Sequence, residues 1–250
     1  MGVVILIFVF LTGMAVASFI SSLVYRISRD ISIMHPPSFC PACGKRIKPY
    51  DLIPIFSFVL LKGKCRECGK RIPLQSLLLE VGLPLVYTGL YLRCGTGIVF
   101  FLRSFLMTLL VYCALMDLIT GEIGILDVVL VSLGGVAALV LALFGVLPYR
   151  PWYLLSGAVA ASILLGLSFS IIWLMKRRIP LGRGDLFLIP AAMLSFGLYE
   201  ALRILVFSSV LGVVAAFVLI RTGRLEKHSP LPLLPFFAAG VLIEILLFSC

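Results

Sequence analysis

Gly2 to Asp30 reads GVVILIFVFLTGMAVASFISSLVYRISRD. Its first 24 residues carry no charge, and Arg26, Arg29 and Asp30 then follow within five positions. About 20 such residues suffice to cross a bilayer as a helix. The charges come after the apolar run and not before it, which is the reverse of a cleavable signal peptide. The stretch therefore reads as a first membrane helix (1–25) with its N-terminus outside, because Lys and Arg mark the cytosolic side.

The rest of the 250 residues agrees. Hydrophobic residues make up 62% and charged residues 13%, and mean hydropathy is +1.19. A soluble domain of this length needs more polar surface. The expected fold class is an all-α polytopic membrane protein. Eight apolar segments can be marked, near 2–25, 75–92, 98–116, 127–147, 153–175, 186–199, 201–220 and 231–249. The sixth is short, so seven spans and one re-entrant segment is the alternative. Residues 75–250 form a seven-helix membrane domain in this reading.

The net charge of +10 would point to nucleic acid in a soluble protein. Here it is topology, and no nucleic-acid partner is expected. Most of the 21 Lys and Arg fall in the loops after the first, fifth and seventh segments, which makes those loops cytosolic and both termini external. Arg103, Glu200 and Arg203 then lie toward the outer face, where they snorkel or pair. Glu244, deeper in the last segment, pairs with another helix. The basic loops meet anionic lipid headgroups.

Residues 26–74 are the one sizeable polar part, too short for an independent core. They hold Cys40, Cys43, Cys65 and Cys68 as two Cys-x2-Cys pairs, inside the repeat CPACGKRI and CRECGKRI. A Cys-x2-Cys turn places two thiolates on one side of a tight loop, and two such turns make a tetrahedral four-cysteine site that suits zinc. Four thiolates leave no open position, so the metal is structural. Cys94, Cys113 and Cys250 read as packing residues.

Two acids have matching places. Asp117 ends the third segment and Asp185 precedes the sixth, both at the cytosolic face. Either alone reads as a helix-end acid or cap. Together they read as carboxylates sharing one proton, which supplies general base and general acid. Gly182 and Gly184 remove bulk beside Asp185, so a substrate backbone can approach. Asp127 reads as a cap and Asp51 as a turn residue. Glu80, near the cytosolic end of the second segment, is an auxiliary candidate or a paired acid. His35 and His228 receive no role.

The segments GMAVASFISSLVYRI, SFCPACGKRIKPYDLIPIFSFVLLKGKCRECGKRI, LLLEVG, ALMDLITGEI, GRGD and LPLLPFFAAG together resemble the type IV prepilin peptidase family over nearly the whole chain. The resemblance implies an aspartic endopeptidase of the bacterial inner membrane. It would cut the basic leader of a prepilin or pseudopilin after a Gly and methylate the new N-terminus with S-adenosylmethionine. Asp117 and Asp185 would be its catalytic pair. The chain departs from the family pattern at Ser21, Leu52, Gly124, Ile125, Phe187 and in LPLL before Pro235. Phe187 stands where a Lys is usual, and its loss implies that the pair holds its proton to higher pH. A Gly-x-Gly-Asp protease with another membrane substrate and a catalytically silent assembly factor are the alternatives. The sequence assigns no oligomeric state.

Overall fold

The computed structural model describes residues 2–176, 183–223 and 231–248. Gly182, His228 and Cys250 lie outside them. Every named element among the described residues is helical, with two isolated β-bridges and no named strand. They fall into two compact units, Met1–Leu92 and Arg93–Cys250.

The first unit contains α1 (Gly2–Ile27), the short α2 (Phe56–Leu60) and most of α3 (Leu74–Cys94). Gly13 of α1 is required by a close approach: an added Cβ would lie 2.7 Å from the Pro84 Cα. In a membrane, where burial alone does not drive helices together, such small residues let backbones meet. About two turns away along each helix, Ser21 and Ser76 hydroxyls hydrogen-bond at 3.2 Å. Ser21 thus provides one polar link between α1 and α3.

The second unit contains α4 (Ile98–Thr120), α5 (Ile125–Leu143), α6 (Pro151–Lys176), α7 (Arg183–Met193), α8 (Leu198–Arg221) and α9 (Leu234–Leu247). Helix α9 packs on α4 and α8, while α7 packs on α5 and α6. Leu110, Leu188, Met193, Ile204, Phe237 and Ile245 are fully buried between them. Small residues again mark the closest contacts. Gly135 of α5 faces the Ala191 carbonyl of α7, and Gly240 of α9 faces Ser208 of α8. Outward, α8 exposes Val210, Val213 and Phe217, as a face against lipid does.

Six described helices are long and apolar enough to cross a membrane: α1, α3, α4, α5, α6 up to Ser170, and α8. Helices α7 and α9, with 11 and 14 residues, reach only about 16 and 21 Å at 1.5 Å per residue, against a hydrocarbon core of about 30 Å. The sixth apolar segment ends sooner than its composition implies. Helix α7 stops at Met193 and α8 begins at Leu198, where the Gly197 N–H donates to Glu200 Oε2 at 3.0 Å and closes the first turn of α8. Glu200 is therefore a cap as well as a partner of Arg103 at 3.7 Å. Glu244 is fully buried and accepts from Arg203 Nη2 at 2.6 Å and Nε at 2.9 Å, the helix-to-helix pairing expected of it.

One cysteine departs from the packing reading. Cys94, at the end of α3, is disulfide-bonded. Hydropathy cannot show pairing, but the expected outer location is where a disulfide persists. Cys113 is free and buried, as a packing residue is.

Candidate functional site: a four-thiol cluster and two buried acids

The repeated octapeptides fold into two equivalent knuckles. In the first, Cys40 N–H donates to Lys45 O and Gly44 N–H to Cys40 O, both at 2.9 Å; in the second, Cys65 N–H donates to Lys70 O at 2.9 Å and Gly69 N–H to Cys65 O at 3.0 Å. Gly44 and Gly69 take φ of 69° and 68°, left-handed backbone that glycine adopts without strain. Cross-links hold the knuckles together. Lys45 of the first pairs with Glu67 of the second at 2.8 Å. Arg66 grips both Asp51 oxygens at 2.8 and 2.6 Å, which locks the turn Pro49–Leu52 to the second knuckle. Asp51 is thus the turn residue expected, with a partner.

The result is a quartet of Sγ atoms, from Cys40, Cys43, Cys65 and Cys68, all within 4.8 Å of one another. Cys40 and Cys68 are 3.9 Å apart. A tetrahedron with metal–sulfur bonds of about 2.3 Å has edges of about 3.8 Å, so the cluster fits a metal ion. The thiols share protons unequally. Burial pushes Cys40 up, but amide groups of Ala42 and Cys43 and its sister thiols outweigh that and leave it at about 7. The Lys70 amide pulls Cys68 down, but desolvation and three sister thiols leave it at about 11. Crowded thiolates of this kind are what a cation relieves.

Glu80 has a structural partner in the same unit. Its Oε2 accepts the Ile55 N–H at 2.8 Å. Ile55 has φ 63°, a genuine outlier for a β-branched residue. The carboxylate on α3 holds the start of α2 in that conformation.

In the second unit, Asp117 stands one turn from the end of α4. The helix closes on Gly121, φ 68°, whose N–H donates to the Asp117 carbonyl at 2.9 Å. An acid in a last turn opposes the helix dipole. The conflict is relieved from another element: Asp117 Oδ2 accepts the Leu234 N–H at 3.1 Å, at the first residue of α9. The positive end of α9 thus faces the carboxylate. Pro235 in the first turn fixes that end, since its missing N–H costs nothing there. Asp117 is 8% exposed and Asp185 is 7% exposed.

Asp185 lies within the first turn of α7, where the dipole favours it. The preceding Gly184 is packed against the loop that follows Asp117: a Cβ there would stand 2.7 Å from Ile123 Cβ. That loop, residues 121–124, is held at one end by the Gly121 cap and at the other by Asp127, whose Oδ2 accepts the Gly124 N–H at 3.0 Å. Asp127 is therefore the cap expected, and it sets the loop on which α7 rests. Both acids are thus tied to one short loop, Asp117 by chain connection and Asp185 by the Gly184 contact. One neighbour was not evident in the sequence, the α9 terminus, signalled only by Pro235. Cys113, one turn before Asp117 on α4, lies near both Asp117 and Asp127.

Phe187 is 64% exposed. Residues two apart on a helix do not face each other, so a Lys at this position would point away from the buried Asp185.

Fold and site together define a class: a polytopic helical membrane protein with a metal-competent thiol quartet in one unit and buried acids at helix ends in the other. Comparison places it more closely. Residues 11–94 match the family described as Bacterial Peptidase A24 N-terminal domain. A Prepilin leader peptidase/N-methyltransferase of Bacillus subtilis (strain 168) is 30% identical over 242 residues, covering 95% of this chain and 92% of the relative. The proteins of that name from Neisseria gonorrhoeae and Myxococcus xanthus (strain DK1622) are 33% and 32% identical, covering 81% and 87% of this chain and 70% and 64% of the relatives. The chain belongs to the prepilin leader peptidase/N-methyltransferase family. No solved structure matches it.

Proposed function

We propose that the chain is an aspartic endopeptidase of the bacterial inner membrane that removes the basic leader of type IV prepilins or type II secretion pseudopilins after a Gly. The substrate's apolar helix stays in the bilayer while its leader reaches the cytosolic face. Asp117 and Asp185 share one proton. The ionised carboxylate takes a proton from the attacking water, and the protonated one donates to the leaving amine. The observation that carries this reading is the tie of both buried acids to loop 121–124. Gly184 seats α7 against Ile123 of that loop and so holds Asp185 beside it. The thiol quartet holds a structural zinc, which supplies rigidity to a segment with little core and takes no part in hydrolysis.

The second activity in the relatives' name is N-methylation of the new N-terminus, for which S-adenosylmethionine supplies an electrophilic methyl group. That donor carries net positive charge. A cavity of about 350 Å³ in the first unit is lined by Arg26 and Arg46 and offers no carboxylate to meet the sulfonium, so no residue is assigned to the donor.

The test is cleavage of a prepilin by purified protein, beside Asp117→Asn and Asp185→Asn. Each substitution is expected to reduce leader removal by roughly a thousandfold or more. Methyl transfer to a peptide that already lacks the leader is measured separately and should survive both substitutions. Cleavage persisting in either variant would overturn the dyad.

A further inference from the structure

The walls of that cavity divide by chemistry. Phe19 and Leu23 of α1 and Ile33 and Met34 of the following loop are apolar, while Arg26 and Arg46 are cationic. Phe19, Leu23 and Arg26 follow the i, i+4, i+7 spacing of one helix face. Arg26 therefore stands about 10 Å along the axis from the level of Phe19, toward the polar end of a membrane-length helix.

Arg26 is held in place without being neutralised. It is 6% exposed, and its Nη1 and Nη2 donate to the Ser32 and Pro36 carbonyls, both at 2.7 Å. Neither Arg26 nor Arg46 forms an ion pair among the described residues. Arg46 projects from the first knuckle, where it bridges to Phe39. A buried cation without a counter-charge is costly, so an anion is the natural complement. A basic leader peptide and a cationic methyl donor carry the wrong sign. Free phosphate has the right sign but leaves the apolar wall in water.

We propose that this cavity binds one anionic phospholipid, with its phosphate at Arg26 and Arg46 and the upper acyl chain along Phe19 and Leu23. The apolar and cationic parts are stacked along the helix in the order that a headgroup and its chain present at a membrane surface. The bound lipid pins the first knuckle to the bilayer through Arg46.

The experiment is native mass spectrometry of the full chain in detergent, titrated with phosphatidylglycerol and with phosphatidylcholine. Inorganic phosphate and S-adenosylhomocysteine are added as competitors. Wild type retains phosphatidylglycerol in preference to phosphatidylcholine. Arg46→Ala weakens that retention roughly tenfold, the loss of one charge-assisted hydrogen bond. Arg46→Lys recovers part of it, Leu23→Glu abolishes it, and Arg66→Ala, on the other knuckle, leaves it unchanged. Circular dichroism checks that each variant is folded. Equal retention of the two lipids, or undiminished binding by folded Arg46→Ala, would overturn the proposal. Displacement by phosphate alone would make this a free-anion site, and displacement by S-adenosylhomocysteine a donor site; either also overturns it.

Discussion

Gly184→Ala separates two explanations of the glycine beside Asp185. Helix propensity alone favours the change by up to about 1 kcal/mol. The structure gives the opposite sign. The new Cβ would meet Ile123 Cβ at 2.7 Å and its Cδ1 and Cγ2 at 3.2 Å, whereas carbon pairs settle near 3.5–4.0 Å. The contact must open by about 1 Å, and over-packing of this kind costs about 1–3 kcal/mol. The shift falls on the residue next to Asp185, where a displacement of about 1 Å lowers rate about a hundredfold. Thermal unfolding in detergent and leader cleavage are the assays. The second substitution is chosen by atom. Ile123→Ala keeps its Cβ and leaves the worst contact in place, so Gly184→Ala/Ile123→Ala stays impaired. Ile123→Gly removes that atom and restores stability and activity in the double variant. The coupling in that cycle is expected to exceed about 1 kcal/mol. Wild-type stability and cleavage in Gly184→Ala would refute the packing argument. Restored stability without restored cleavage would show instead that Gly184 is there for the substrate.

Three further outcomes follow from the first unit. Cys43→Ser, or a chelator, should release the metal and lower the melting temperature of the cysteine segment; full stability without metal would refute a structural site. Ile55→Gly should stabilise the protein by about 1 kcal/mol, since it removes a strained β-branched residue at φ 63°. Glu80→Ala should destabilise it and raise hydrogen exchange at the Ile55 amide, and unchanged exchange would sink the assignment. The third concerns pH: Arg66 beside Asp51 and Lys45 beside Glu67 hold both carboxyls below their ordinary values. Their contribution is therefore present above the ordinary carboxylate range and is lost as pH falls through the depressed values. The melting temperatures of wild type and Asp51→Asn/Glu67→Gln should differ at neutral pH and converge in acid; a gap that persists in acid would mean the pairs do not act through charge.

Features that depend on near neighbours in the chain were legible. The eight apolar segments follow from composition, because lipid leaves helices as the means of satisfying backbone groups. The thiol quartet follows from a repeat in which each Cys-x2-Cys turn is followed by a Gly at positive φ. Asp127 as a cap follows from its place three residues after Gly124. The extents of α7 and α9 were less legible. Hydropathy registers apolar residues and not the capping that starts a new helix, so the Gly197–Glu200 cap of α8 was hidden in an apolar stretch.

What the sequence could not supply was the partner of each acid. Glu80 is an intramembrane suspect by type, but its oxygen is taken up by an amide 25 positions away. Asp117 meets an amide 117 positions away. No local pattern encodes either distance. The consequence for Asp117 is specific. A carboxylate at the negative end of α4 is disfavoured by its own helix and favoured by the positive end of α9, so its environment is set by where α9 begins. Leu234 carries the donated N–H and is 1% exposed, which explains why the stretch before Pro235 belongs to the site although it contains no titratable residue. LPLL can therefore replace another apolar run there while keeping the contact, provided that residue 234 has an N–H and helix α9 still starts at that position.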